Sequence, residues 1–476
     1  MTDNGETVVA GAGAYAPSAR LPTDAIAAFW DGDRARGVDS VAVPAADEDS
    51  LTLGAAAGRR ALSAAGVDAA AVEHLAFATT TPPVEEPELT PRLGEFLGVP
   101  AGASRETHAG GTRAGTAALS ATVARAARPA LVVAADAPQG EPDSPEGDAA
   151  GAAAGAVVVT ADGDGATLSA WGRHAEDYPG TRYRRRGETE TESLGVTSYD
   201  RAAFREPVVA AVSALPGDAA PEGTEAVAVT APDGSLPARA LAATDAAPSP
   251  SAITTPVRTL GDTGAAGPLV GLARAFDDDA ARTLLVGVGS AGSAAATVVD
   301  GTAPTETALD GDRELSYAEA TRRRGELAGS PPAGGGAAVS VPTWRQSRAA
   351  RYRLVAGRCP DCGALRFPPE GACTGCRALV DYERVTLPDR GEIVTVTGVT
   401  ADGAPPEFVP QATRDGGFPV GIVRFTVDGA TVDVPLQVCD ADPSDATAGD
   451  TVERAIRRVY EQEGVVRYGA KARPVE

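Results

Sequence analysis

Four cysteines in two close pairs are the residues of this chain best suited to chemistry. Cys359-Pro-Asp-Cys362-Gly and Cys373-Thr-Gly-Cys376 are C-x-x-C knuckles separated by ten residues. Each tight turn lets two thiolates reach one ion, and two such turns complete a tetrahedron of sulfur. Gly363 and Gly375 suit the sharp backbone this requires. Thiolate softness favours zinc, with rubredoxin-like iron as the alternative that ligand type alone does not separate. Four protein ligands leave no position for water, so the expected metal is structural. The fifth cysteine, Cys439, ends VPLQVC, a run that reads as a buried strand and would keep its thiol neutral.

Other chemistry is sparse. His74, His108 and His174 are the only histidines, and His108 reads as a structural residue near a strand end. Arg182, Arg184, Arg185 and Arg186 cluster tightly enough to meet phosphates, or else form an exposed basic turn. The helix expected over Thr343 to Val355 carries Arg345, Arg348, Arg351 and Arg353, either a solvated face or a docking surface.

At 476 residues the chain is too long for one ordinary core. It carries 42 basic against 65 acidic residues, a net charge of -23, and Lys471 is its single lysine. That surface suits work at high salt and argues against general nucleic-acid binding, which needs a basic face. No run of about 18 apolar residues exists, and Met1 to Val8 lacks a basic stretch leading into an apolar one, so a cytoplasmic protein off the membrane is expected. Cysteines in knuckles fit a reducing compartment.

The elements that position these residues alternate in type up to about residue 325, which predicts an α/β region. Strands are expected at Val8 to Tyr15, Leu75 to Thr79, Ala130 to Ala135, Ala156 to Thr160, Ala226 to Thr230, Thr283 to Val288 and Ala295 to Val299. Helices are expected at Leu51 to Ala65, Gly115 to Ala127 and Ala265 to Phe276. The pattern occurs twice, in 1–165 and 166–325, each half closing on two consecutive strands. Residues 326–342, rich in Gly, Pro and Ala, read as a flexible linker. Residues 343–378 hold the Arg-bearing helix and the cysteines. Residues 379–476 read as five barrel strands: Leu379 to Thr386, Glu392 to Val399, Val420 to Val427, Thr431 to Val438 and Thr451 to Tyr460. Phe425 and Tyr460 are nearly the only aromatics such a barrel could offer a single strand.

WRQSRAARYRLVAGRCPDCGALRFPP, GEIVTVTGV and VVRYGAKARPV resemble the zinc-ribbon plus OB-fold proteins that accompany archaeal acyl-CoA thiolases and hydroxymethylglutaryl-CoA synthases. That resemblance implies a scaffold bridging two acyl-CoA enzymes. GAGAYAPSARLPTDAI, RAGTAAL at 113–119, ADAPQGEP at 135–142, GDTGAAGPLVGLA at 261–273 and VGVGSAGSAAATVV resemble archaeal hydroxymethylglutaryl-CoA synthase, of the thiolase superfamily. The implied architecture is a thiolase-like α/β fold of two duplicated halves, layered αβαβα, followed by a zinc ribbon and an all-β OB barrel.

Condensation in that family needs a thiolate, an acid/base and donors for the thioester oxyanion. On the resemblance, the family's cysteine falls at Thr112, its catalytic glutamate at Thr80 (with Glu85 and Glu86 following), and its histidine at Thr230. The asparagine of its Gly-Asn-Thr falls at Asp262, an acceptor where a donor is needed. No catalytic residue is therefore expected. Thr112 is expected at the start of a buried helix beginning near Ala114, close to Thr230 and Asp262.

Three functions remain open at this stage. One is a non-catalytic or weakly catalytic subunit, a pseudoenzyme in character, that scaffolds a thiolase (acetyl-CoA acetyltransferase) or synthase partner in an oligomer, with isoprenoid synthesis as the implied setting. The second is an active condensing enzyme that binds a CoA thioester. The third is a nucleic-acid-binding OB module.

Overall fold

The structure, a computed structural model, describes residues 7–30, 35–244, 246, 248–327, 340–462 and 464–475. Most of the linker expected at 326–342 lies outside them. Contacts divide the chain into two units, Met1–Pro44 with Asp49–Ala320, and Ala45–Glu48 with Thr321–Glu476.

Within the first unit, strands rich in Val and Ala form one continuous sheet system. Ser104–Ala109, His74–Thr79, Ala130–Asp136, Ala153–Thr160 and Val8–Tyr15 run side by side in that order. Ala226–Val229, Arg282–Gly289, Ser293–Asp300 and Ala166–Leu168 repeat the order in the second half. In both halves a parallel pair is followed by antiparallel neighbours: Phe77 pairs with Val133 in parallel, as Ala228 does with Leu285. Ala130–Asp136, Ala153–Thr160 and Arg282–Gly289 are buried on both faces, which explains their unbroken apolar runs.

The covering helices define the layers. Ser50–Ala65 packs on strands of the first half and Thr197–Ser213 on strands of the second, while Ala114–Val123 and Gly267–Asp277 touch strands of both. Together these make the thiolase-like layered arrangement of two duplicated halves. Close approach in the middle layer depends on small residues: a Cβ on Gly115 would lie 2.3 Å from the Ala265 carbonyl oxygen. The first outer helix starts with a capping box, Asp49 accepting from the Leu51 and Thr52 amides while the Thr52 hydroxyl accepts from the Asp49 amide.

Two elements here escape the sequence pattern. The edge strand Ser104–Ala109 is half-exposed and polar, and Thr197–Ser213 is a helix despite Pro207. Its buried Phe204, Val208, Ala211 and Val212 pack on the second-half sheet, and that burial outweighs the lost backbone hydrogen bond.

In the second unit, helix Val341–Arg353 precedes a small sheet of Leu365–Arg366, Val355–Arg358 and Glu383–Thr386. Five strands follow, ordered Ala430–Gln437, Phe418–Val427, Arg390–Val399, Thr451–Gln462 and Val465–Pro474. A parallel bridge from Val438 to Ala472 brings the two edges together into a near-barrel of OB type. One expected barrel strand is corrected. Glu383–Thr386 pairs with Val355–Arg358 beside the cysteines, and the fifth barrel strand is Val465–Pro474. Among the described residues no helix is long and apolar enough to cross a membrane.

Candidate functional site

Thr112, Thr230 and Asp262 line one cavity of about 400 Å³ in the first unit. Each is held at the end of a core element. Thr112 precedes helix Ala114–Val123, Thr230 follows strand Ala226–Val229, and Asp262 follows Gly261, whose φ of +79° turns the chain out of a short helix. Thr80 stands directly after strand His74–Thr79 and is not among the residues lining the cavity.

The hydroxyls are engaged with the protein itself. Thr112 Oγ1 donates to the Val288 carbonyl at 2.6 Å, and the Val288 amide donates to Thr230 Oγ1 at 3.0 Å. A peptide carbonyl is no base, so this bond does not convert Thr112 into a nucleophile. Asp262 forms an ion pair with Arg182 and accepts the Gly264 amide at 2.9 Å. Its charge is thereby neutralised, yet it still offers no donor to an oxyanion. None of the three histidines lines the cavity. His74 is buried with Nδ1 2.8 Å from Ser104 Oγ, His108 lies 3.5 Å from Glu106, and His174 lies 3.6 Å from Glu176.

The arginine cluster divides. Arg182 reaches Asp262 and Arg184 donates to the Thr80 carbonyl, both half-buried, so the exposed-turn expectation is corrected for this pair. Burial pushes the Arg184 guanidinium below its ordinary range, with Asp136 opposing the shift. Arg185 pairs with Glu192 at 2.8 Å and, like Arg186, is exposed.

Asp136 was missed by sequence reasoning. Fully buried at the end of its strand, it accepts from the Thr79, Thr80 and Thr81 hydroxyls at 2.8 to 3.1 Å. It also accepts from the amides of Thr80, Thr81 and Ala265. A carboxylate so enclosed is a fastener between strand ends and the turn before helix Gly267–Asp277. The run of three threonines was the available signal. Glu146 and Asp200, also lining the cavity, were missed as well; burial first, then Glu146, raises the Asp200 carboxyl.

In the second unit the four knuckle cysteines converge, their sulfurs all within 4.8 Å of one another. Cys359 and Cys376 are 3.7 Å apart, and Cys362 and Cys373 are 3.6 Å apart. A tetrahedron with Zn–S bonds of about 2.3 Å has edges of about 3.8 Å, so the sulfurs fit a zinc ion. The Gly375 amide points at the Cys373 sulfur at 3.3 Å. Amide donation, led by Cys376, holds the Cys373 thiol down at about 6. Cys439 stands apart, its thiol pushed up by burial and by Asp440, and is inert.

Residues 347–381 match the ChsH2 rubredoxin-like zinc ribbon domain family. A DUF35 domain-containing scaffold protein of Methanocaldococcus jannaschii is 33% identical over 138 residues, 29% of this chain and 91% of that protein. The chain belongs to the DUF35 scaffold family. This DUF35 member carries more than its relatives' length. A hydroxymethylglutaryl-CoA synthase of Thermococcus gammatolerans is 29% identical over 235 residues, 43% of this chain and 67% of that enzyme. The fold of a solved HMG-CoA synthase complexed with CoA matches 70% of this chain and 94% of that one, with a TM-score of 0.59 at 14% identity. The DUF35 region is thus fused to a synthase-like, thiolase-fold domain.

Packing in the second unit engages the aromatics. Phe425 is buried in its core and Tyr460 packs edge-on against Phe408 at 5.6 Å, so neither is an open stacking platform. On the Arg-bearing helix, Trp344 lies under Arg351 at 5.3 Å and Arg467 at 5.8 Å.

Proposed function

We propose that the chain is an acyl-CoA-associated subunit that has given up condensation chemistry and scaffolds a separate thiolase, an acetyl-CoA acetyltransferase, in acyl-CoA condensation. One observation carries this reading: the Val288 peptide engages both the Thr112 and the Thr230 hydroxyls. Positions that the synthase resemblance gives to the family's cysteine and histidine thus bind one and the same peptide group. The first unit keeps the layered fold and a cavity, and the surface is what remains to be selected. The DUF35 region supplies the scaffold character that its relatives' name records.

The test is acetyl-CoA turnover by the purified chain at high salt, alone and with the thiolase from its host, together with co-purification of the two. The expected result is no acyl-enzyme and no turnover alone, with a stable complex. Steady turnover or an acetyl adduct on the chain alone would promote the active synthase reading in its place.

A further inference from the structure

The single lysine of this chain is not on its surface. Lys471 is 1% exposed, with Nζ 2.8 Å from Asp47 Oδ2 and 3.3 Å from Gln411 Oε1. Beside it Arg457, equally buried, reaches Glu48 and Asp440 at 2.9 Å each and Asp47 at 3.8 Å. Arg323 approaches Asp415 at 3.3 Å, and Arg414 hydrogen-bonds the Arg323 carbonyl. Every one of these residues belongs to the second unit, Ala45–Glu48 included, although the chain on either side of those four residues belongs to the first.

Counting charges shows what the four residues contribute. Arg323, Arg414, Arg457 and Lys471 face Asp415 and Asp440, and Asp47 and Glu48 add two further carboxylates to them. Taking cations out of water is costly unless carboxylates face them, and residues 45–48 bring two of these to the cluster. The backbone is read as well as the charge. Residues 45–48 form a turn closed by the Glu48 amide on the Ala45 carbonyl at 3.0 Å. The Arg458 amide donates to the Asp47 carbonyl at 2.9 Å, and the Ala46 amide donates to Asp415 at 3.1 Å. Lysine supplies a point charge to Asp47, and the planar guanidinium spans Glu48 and Asp440.

We propose that the second unit carries a cationic socket that recognises an acidic turn, Asp followed by Glu, and that Asp47 and Glu48 of this chain are its occupant. The partner it fits is a tight turn presenting two adjacent carboxylates. A nucleic acid would offer the charge without the amide and carbonyl contacts.

Lys471 is also the only side-chain amine, and so its own reporter. Full-length protein is treated with an N-hydroxysuccinimide ester at high salt, and acylation of Lys471 is followed by mass spectrometry. In the wild type Lys471 stays unmodified. In Asp47→Asn/Glu48→Gln it reacts at least about tenfold faster, as locally opened sites do, and excess peptide VPAADEDS restores protection while VPAANQDS does not. Wild-type Lys471 reacting as fast as in denatured chain, an unreactive double variant, or equal protection by both peptides would overturn the proposal. If the double variant loses its zinc or its circular dichroism, Glu48→Gln alone carries the test: faster labelling is expected, and an unchanged rate overturns it.

Discussion

Around Thr112 the hydroxyls of Thr112 and Thr230 turn to one peptide group, whereas around Cys359 four sulfurs turn to a common point. In the first region the groups at positions 112, 230 and 262 each have a protein partner: Val288 for both threonines, Arg182 for Asp262. In the second, four sulfurs stand at the spacing of the ligands of a tetrahedral ion. Hydroxyls buried beside a peptide group bond to it, because leaving such bonds unmade costs more than the bonds contribute. Sulfurs that hold a metal converge instead.

That comparison breaks most severely at the metal. Chelation or Cys373→Ser should abolish one bound equivalent of zinc and the cooperative melting of the second unit, since structural zinc contributes on the order of 10 kcal/mol in small domains. Metal analysis and calorimetry read this out; a Cys373→Ser protein as stable as wild type would show that the ribbon stands without its ion. Iron in place of zinc would appear in the visible spectrum.

Next in size is the charge cluster. Arg457→Met leaves Glu48 and Asp440 facing no guanidinium, and should destabilise the second unit by about 3–5 kcal/mol. Denaturant titration measures it, and a loss under about 1 kcal/mol would mean that water reaches the carboxylates.

Smaller effects sharpen the reading of the cavity. Thr112→Val should cost about 1 kcal/mol, the worth of one buried hydrogen bond. Thr112→Cys should leave acetyl-CoA condensation at background, because base and oxyanion donor are still missing. Turnover by the cysteine variant would show that the remaining residues suffice.

The smallest expected effect is pH dependence from His74. Burial, then Arg125, holds its imidazole below the usual 6.5. As pH falls through about 6.5 the unfolded chain takes up a proton that the folded one resists, so stability declines, by at most about 1.4 kcal/mol per pH unit. His74→Leu should flatten the melting temperature between pH 7 and pH 5.5, and an unchanged slope would assign the dependence to other groups.

Sequence alone determined whatever depends on neighbours along the chain. Two knuckles ten residues apart specify a metal turn, and apolar runs of Val and Ala specify buried strands, because both are local geometries that residue type encodes. The absence of cysteine and histidine at positions 112 and 230 was equally legible, since a missing side chain needs no structure to establish it. Elements whose identity rests on what covers them were less so. Thr197–Ser213 is a helix against its proline, and Glu383–Thr386 joins the ribbon's small sheet and not the barrel. Tertiary structure alone decided the partners. Thr112 meets Val288 across 176 residues, Arg182 meets Asp262 across 80, and Lys471 meets Asp47 across 424. Separations of that length are set by strand register and layer packing, so no spacing in the chain announces them, and a lone lysine reads as surface until the fold encloses it.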